Sequence, residues 1–276
     1  MQPILSLTDP MQDLPTLPAV VADINVQLAS ATTSAPQLAQ SIMWDPALTS
    51  RLLRLVNSPF FGLKRAIGSP IEAIMLLGFQ AVRDLALATT VLDLFPADAC
   101  AAFDPRRLWE HAIATAVAAS LLGRQAGCDP AEELFVAGLL HDLGKIVLYV
   151  HYRPTFFEVL ASAECHDAPI WASEQRITGT THAQLGAQLI RHWRFPGRLA
   201  DAIAQHHARS PSKPAQIVQA ADGLARALGI HCGMDDAVPV GHVWPSVLGD
   251  PAKLDPLLDR CAEQYEAAAA VLLPRC

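Results

Sequence analysis

Charge is what this chain has least of. Only 17% of its 276 residues are Asp, Glu, Lys or Arg, where a soluble domain usually carries roughly a quarter. With 51% hydrophobic residues there is ample surface to bury, which excludes a disordered segment. Long apolar runs are missing. The densest, Leu134 to Leu140 and Ala267 to Leu273, fall well short of the ~20 residues of a spanning helix, so no membrane segment is expected. The first residues carry Asp9 and Asp13 but no early Lys or Arg, so no signal-peptide pattern is present. A basic excess is lacking too. Twenty Lys and Arg stand against 27 Asp and Glu, a net charge of −7, which argues against a DNA-binding surface. The local cations Arg51, Arg54, Lys64, Arg65 and Arg83 read as a solvated face or a protein-docking patch. The six cysteines are scattered without a Cys-x-x-Cys, which excludes a zinc ribbon and a disulfide framework. A reducing compartment follows, with a cytoplasmic location as the expectation.

What the chain has in abundance is helix punctuation. Asp45-Pro46, Ser69-Pro70, Asp104-Pro105, Asp129-Pro130 and Asp255-Pro256 each set a capping oxygen before a proline that lacks the N–H the first turn would leave unpaired. The segments that follow have helical period, as in Val20/Val21, Ile24 and Leu28, and in Leu48, Leu52 and Leu55/Val56. No sustained strand alternation occurs, so the fold class is all-α. The length fits two packed helical units. The run Pro-Ala-Asp-Ala-Cys-Ala-Ala between Phe95 and Asp104 separates them, giving an N-terminal bundle over 1–98 and a second helical domain over 99–276. Residues 229–252, rich in Gly, Pro and Asp, read as a long loop before a last helix.

Among the ten histidines, His141 and Asp142 stand side by side at the end of an apolar helix beginning near Ala131. An imidazole nitrogen and a carboxylate oxygen converging there suit Mn, Fe or Zn, although a surface pair after a buried helix would look the same. His111 is flanked at helical spacing by Ala114, Thr115 and Ala118, which leave room beside its ring. His182 shares a stripe with Leu185, Leu189 and Trp193 and points inward. Asp222 lies on a stripe with Val218 and Ala225, where an ionised carboxylate needs a partner, either a metal or Arg226 one turn on. His206 and His207 are adjacent, and helical neighbours diverge by about 100°, so one of the two is expected to face the site. His151, His166, His192, His231 and His242 carry no assigned role.

The order His111, His141-Asp142, His182, His206-His207, Asp222 resembles the HD superfamily of metal-dependent phosphohydrolases. His182-x-x-x-Gly186 and the paired histidines are similar to the HD-GYP phosphodiesterases. Further motifs narrow this. In order they are Leu14-Pro15-Thr16-Leu17-Pro18, Ile42-Met43-Trp44-Asp45-Pro46-Ala47-Leu48, Leu55-Val56-Asn57-Ser58-Pro59-Phe60-Phe61-Gly62 and Ile71-Glu72-Ala73-Ile74-Met75-Leu76-Leu77-Gly78. From about Leu14 to about Gly229 the chain resembles the HDOD family, an HD-related output domain of bacterial signalling proteins. Read locally, Asn57 tolerates left-handed geometry and can end a helix that Pro59 then keeps from resuming, and Gly78 ends one short helix before Phe79 begins the next.

The resemblance implies a regulatory protein that binds signalling partners in trans, of the GGDEF, EAL or kinase-linked kind, with a nucleotide as a further ligand class. It also implies one or two divalent metals (Fe, Mn or Zn) on His111, His141, Asp142, His182, His206, His207 and Asp222. The rival is a metal-dependent phosphohydrolase acting on a nucleotide or phosphate ester. There Asp142 would bridge metals, and Lys145, by the HD-x-Gly-Lys resemblance, or Arg191 would hold a phosphate. The departures weigh against that rival. After His207 comes Ala208-Arg209-Ser210-Pro211 rather than the Glu-x-x-Asp-Gly-x-Gly-Tyr-Pro element of HD-GYP enzymes. Arg107 stands where some of those relatives carry an acid for a third metal. A third reading is a vestigial site whose polar groups pair with one another.

Overall fold

The computed structural model describes residue 24 and residues 34–92, 103–128, 130–232 and 254–273. The Leu14 to Pro18 motif, most of the Val20 to Leu28 stripe and of the interruption before Asp104, Asp129, and most of the 229–252 loop lie outside them.

Capped prolines start the first helices. Asp45 accepts from the Ala47 and Leu48 N–H groups at 2.9 and 3.0 Å. Between α1 (Ala35–Met43) and α2 (Pro46–Val56) it ends one helix and begins the next. Ser69 accepts from the Glu72 N–H at 3.3 Å and opens α3 (Pro70–Leu77). Gly78, at φ 88°, separates α3 from α4 (Phe79–Val91), the stop that was expected there.

Asn57 ends α2, as its capacity to end a helix suggested, without using the left-handed geometry it tolerates. It caps α2 in the right-handed region at φ −83°, and the left-handed residue is Gly62 at φ 60°. The Asn57 side chain instead spans the turn. It donates to the Ile67 carbonyl at 2.9 Å and accepts from the Ile67 N–H at 2.6 Å, holding the loop after the 3-10 turn Pro59–Phe61.

The rest is built on α5 (Pro105–Gln125), an alanine-rich helix buried for most of its length. Asp104 caps it by accepting from the Arg106 N–H at 2.9 Å. The elements that follow are α6 (Ala131–Leu140), α7 (Leu143–His151), α8 (Arg153–His166), α9 (Ile170–Thr178), α10 (His182–His192), α11 (Gly197–Gln205), α12 (Lys213–Ala227) and α13 (Leu254–Leu272). No strand occurs among the described residues, and the fold is all-α. Asp255, expected to precede the last helix, lies inside its first turn.

Helices α6, α12 and α13 pack on α5, and α4 packs on α6. At Gly138 an added Cβ would lie 2.7 Å from the Ala116 Cα, so glycine sets how closely α5 and α6 approach. The stretch Ala131–His151 is longer and more apolar than the Leu134 to Leu140 run suggested. By length and composition it could cross a membrane, yet 89% of it is buried in the fold and the His141-Asp142 turn divides it.

One charged pair is buried on α4. Arg83 Nε donates to Asp84 Oδ1 at 2.6 Å, and Asp84 is 0% exposed. Burial pushes the Asp84 carboxyl up to about 6 despite the opposing pull of Arg83. Its folded value exceeds its unfolded one, so Asp84 favours the fold most below pH ~4 and loses that contribution as pH rises toward 6. The span corresponds to on the order of 3 kcal/mol. We expect Asp84→Asn to flatten this part of the stability profile in urea titrations from pH 4 to 7. An unchanged slope would show that Asp84 is not its source.

Candidate metal centre

The break between α6 and α7 places the central donors. His141 is the residue after the last turn of α6, and Asp142 precedes α7. His141 Nδ1 donates to the Gly138 carbonyl at 2.7 Å, three residues back. His206 repeats the device at the end of α11, where its Nδ1 donates to the Ile203 carbonyl at 2.6 Å. A carbonyl only accepts, so Nδ1 carries a proton in both rings and Nε2 is the nitrogen turned toward the centre. His111 Nδ1 donates to the Ile230 carbonyl at 3.0 Å, with the same result.

Around Asp142 the side chains form a closed group. Lys145 Nζ donates to Asp142 Oδ2 at 2.8 Å. Across that carboxylate, His182 Nε2 stands 3.2 Å and His206 Nε2 4.0 Å from Oδ1. His111 Nε2 is 3.0 Å from Asp222 Oδ1, while Arg226 donates to Asp222 Oδ2 at 2.6 Å. Of the alternatives the sequence left for Asp222, the Arg226 partner is present, and His111 faces its other oxygen. His182 Nε2 is 3.0 Å from His207 Nε2.

His206 and His207 both reach the centre, where one was expected to turn away. The reason is local. Helix α11 ends at Gln205, so the two rings leave a turn and the 100° rule does not govern them. His206 is fully buried, His207 half-buried, and Trp171 of α9 stacks on His207 with centroids 6.1 Å apart. Arg191 takes no part. It is exposed on α10 and pairs with Asp201 at 2.6 Å.

Glu174 escaped the sequence reading. It is 0% exposed on α9, and its Oε2 accepts from both the backbone N–H and Nδ1 of His182, each at 2.7 Å. The signal was an acid on the buried face of a helix with Ile170, Ser173 and Thr178. Thr181 caps α10 by accepting from the Gln184 N–H at 3.2 Å, which fixes His182 as its first residue. Gly144 lets α7 meet that residue, since a Cβ there would sit 2.1 Å from the His182 carbonyl oxygen.

Electrostatics follow from these contacts. Burial alone would lower the His182 imidazole, but Glu174 and Asp142 hold it up at about 9. Burial together with His141 and His182 pushes His206 down to about 3. Burial works against the Asp142 carboxylate, yet His141 and Lys145 hold it well below the usual range. Arg226 and His111 do the same for Asp222.

Two groups of side chains have donor atoms within 4.8 Å of one another, His111 with His141 and Asp142, and His182 with His206 and His207. The donor chemistry fits a divalent metal. His111 Nε2, His141 Nε2, His206 Nε2, Asp142 Oδ1 and Asp222 Oδ1 are all buried without a hydrogen bond of acceptable geometry. Buried polar atoms in a native core are normally satisfied, and a cation would satisfy these together.

Residues 14–209 match the HDOD domain family. An HDOD domain protein of unknown function from Geobacter sulfurreducens superposes with a TM-score of 0.73 at 23% identity, covering 95% of this chain and 94% of that one. A candidate phosphohydrolase from Shewanella amazonensis gives 0.72 at 22% identity, covering 95% and 96%. An uncharacterized protein of Treponema pallidum is 25% identical over 204 residues, 73% of this chain. The chain spans 39% of the length of that curated relative.

Glu174→Ala should lower stability by about 3 kcal/mol or more, because it leaves the buried His182 donors unpaired. Glu174→Gln, which keeps an acceptor, should recover part of the loss in urea titration. Equal, small losses in the two variants would mean that Glu174 does not hold His182.

Proposed function

The chain belongs to the HDOD domain family, and from that premise we propose that it is a signal-transduction regulator that docks partner proteins around a closed divalent-metal centre. The observation that carries this reading is the combination of a full donor set with burial. His111, His141, Asp142, His182, His206 and Asp222 are each at most 4% exposed, and His207 alone is half-buried. Structural metal sites are closed, whereas catalytic ones keep a position open for water or substrate.

In this reading His111, His141, Asp142 and Asp222 hold one ion of Fe, Mn or Zn, and His182, His206 and His207 hold a second against Asp142. Such an ion brings Lewis acidity and acidifies a bound water toward neutrality. The protein's own part is to keep the Nε2 atoms of His111, His141, His182 and His206 aimed inward through the hydrogen bond at Nδ1, an arrangement that typically raises metal affinity about 10–100-fold. The partners are signalling proteins, and the division near residue 98 into a bundle and an HD-type domain belongs to the same proposal.

The second reading is a metal-dependent phosphohydrolase. One observation favours it, namely Lys145, buried at the centre beside Asp142 as a fixed positive charge for a phosphate. The burial of the donors and the missing element after His207 support the regulator instead.

Metal content and turnover together test these readings. Tag-free protein purified without oxygen or chelator should carry one or two Fe, Mn or Zn per chain by elemental mass spectrometry. The His141→Ala, Asp142→Ala double variant should carry none and should lose partner binding. Turnover of phosphodiesters by the wild type, lost in the variant, would favour the hydrolase. No metal in either protein after reconstitution would sink both metal-based readings and leave the vestigial site.

A further inference from the structure

Of the five large apolar side chains exposed on the described surface, one, Val150, stands on α7 and the other four share a pair of helices. Met43, Trp44, Met75 and Leu76 are 49%, 77%, 79% and 54% exposed, and all four belong to the packed pair α1 and α3 or its caps. Tryptophan and methionine are enriched at the centres of protein interfaces, and methionine adapts its shape to what it meets.

Alongside α3 runs a groove of about 650 Å³. Leu63, Ile67, Ile71 and Met75 give it apolar walls, and Lys64 and Arg65 line it as well. Both cations are exposed. Glu72 is the one acid in the lining, and it is engaged by Arg65 at 3.7 Å and by the Gly68 N–H at 3.4 Å. The groove is therefore apolar with a positive rim, on a chain whose net charge is −7.

It is also held in shape. The two hydrogen bonds from Asn57 to the Ile67 backbone tie down the loop that forms one wall, so little ordering remains to be done when something binds. A preformed apolar channel along a helix accepts an amphipathic helix through anchors at i, i+3, i+4 and i+7. Two cations are far too few for a nucleic-acid track. Their sign selects the partner's flank.

We infer that this groove is the docking site for an amphipathic helix of a partner protein, with acidic residues along the flank that faces Lys64 and Arg65. The inference rests on the partner-docking reading above and gives it a surface remote in sequence from the metal donors.

The test uses a fluorescein-labelled helical peptide of about 18 residues, five turns, with Leu at the four anchor spacings and Glu along both flanks. A twin carries Lys in place of Glu, and phosphatidylglycerol vesicles serve as a third probe. The full chain should bind the Glu peptide over its twin. Lys64→Glu with Arg65→Glu should weaken that binding roughly tenfold and reverse the preference. Met75→Glu should abolish it, with the thermal midpoint unchanged because the side chain is exposed. Binding of neither peptide, equal binding insensitive to the variants, or binding of the vesicles alone would each overturn the inference. The groove variants leave every metal donor intact. Unaltered peptide binding in them, beside metal loss in the His141 and Asp142 variant, would sink the docking site and leave the metal-centred regulator standing.

Discussion

Three carboxylates, a lysine and a set of imidazoles occupy the driest part of this protein, and each must be neutralised or hydrogen-bonded where it stands. An unpaired charge in such a place costs several kcal/mol. The surrounding architecture answers that requirement. Asp142 has Lys145 on one oxygen and two imidazoles toward the other. Asp222 is divided between Arg226 and His111, and Glu174 is committed to His182. Four helices, α6, α7, α10 and α11, must end or begin within reach of one point for this to hold, and the glycines at the crossings let them do so. Gly144 admits the His182 backbone, and the Gly186 Cβ position in turn lies 3.2 Å from the Gly144 nitrogen.

Helix termination and donor orientation are the same event here. The last turn of a helix leaves carbonyls without intrahelical donors. His141 and His206, each the first residue past its helix, satisfy one of them from Nδ1. The consequence is an Nε2 turned inward, so that the capping residue's side chain already faces the centre with no further conformational change. This also explains how both histidines of the pair can serve one centre, since neither belongs to the regular part of α11.

The residue types of the centre were legible in the sequence because each sits on an apolar stripe where a polar side chain demands a reason. That logic found His111, His182 and Asp222 individually. It failed where secondary structure had to be known to the residue. The histidine pair was read with helical geometry that stops at Gln205, and Asn57 was read for its backbone alone when its side chain makes the contact that matters. Arg191 was chosen for its chemistry alone, and its place on the exposed face of α10 could have been seen from the stripe that puts His182, Leu185 and Leu189 on the other side. Glu174 shows the reverse error. It lies on the buried face of α9 with Ile170, Ser173 and Thr178, and the acid there was passed over beside the histidines. The all-α class was secure because the capped prolines state it locally, without any tertiary information.

A closed centre of this kind can act on partners only through the elements that hold it. Helix α6 is the one best placed. His141 follows its last turn, Glu133 near its start pairs with Arg198 of α11, and it packs on both α5 and α4. A cation that binds the folded state and not the unfolded one stabilises the fold by RT ln(1 + [M]/Kd). That gain is delivered at the end of α6, whose other contacts include the helix carrying the buried Arg83 and Asp84 pair. On the proposed reading, an ion at the centre would add its stabilisation beside the seam between α6 and α4. The side chains exposed on α1 and α3 lie beyond that seam, since α3 and α4 also pack together. Coupling between a metal and a docked partner then needs no path through solvent and no open active site. It requires only that α6 be held differently with the ion than without it.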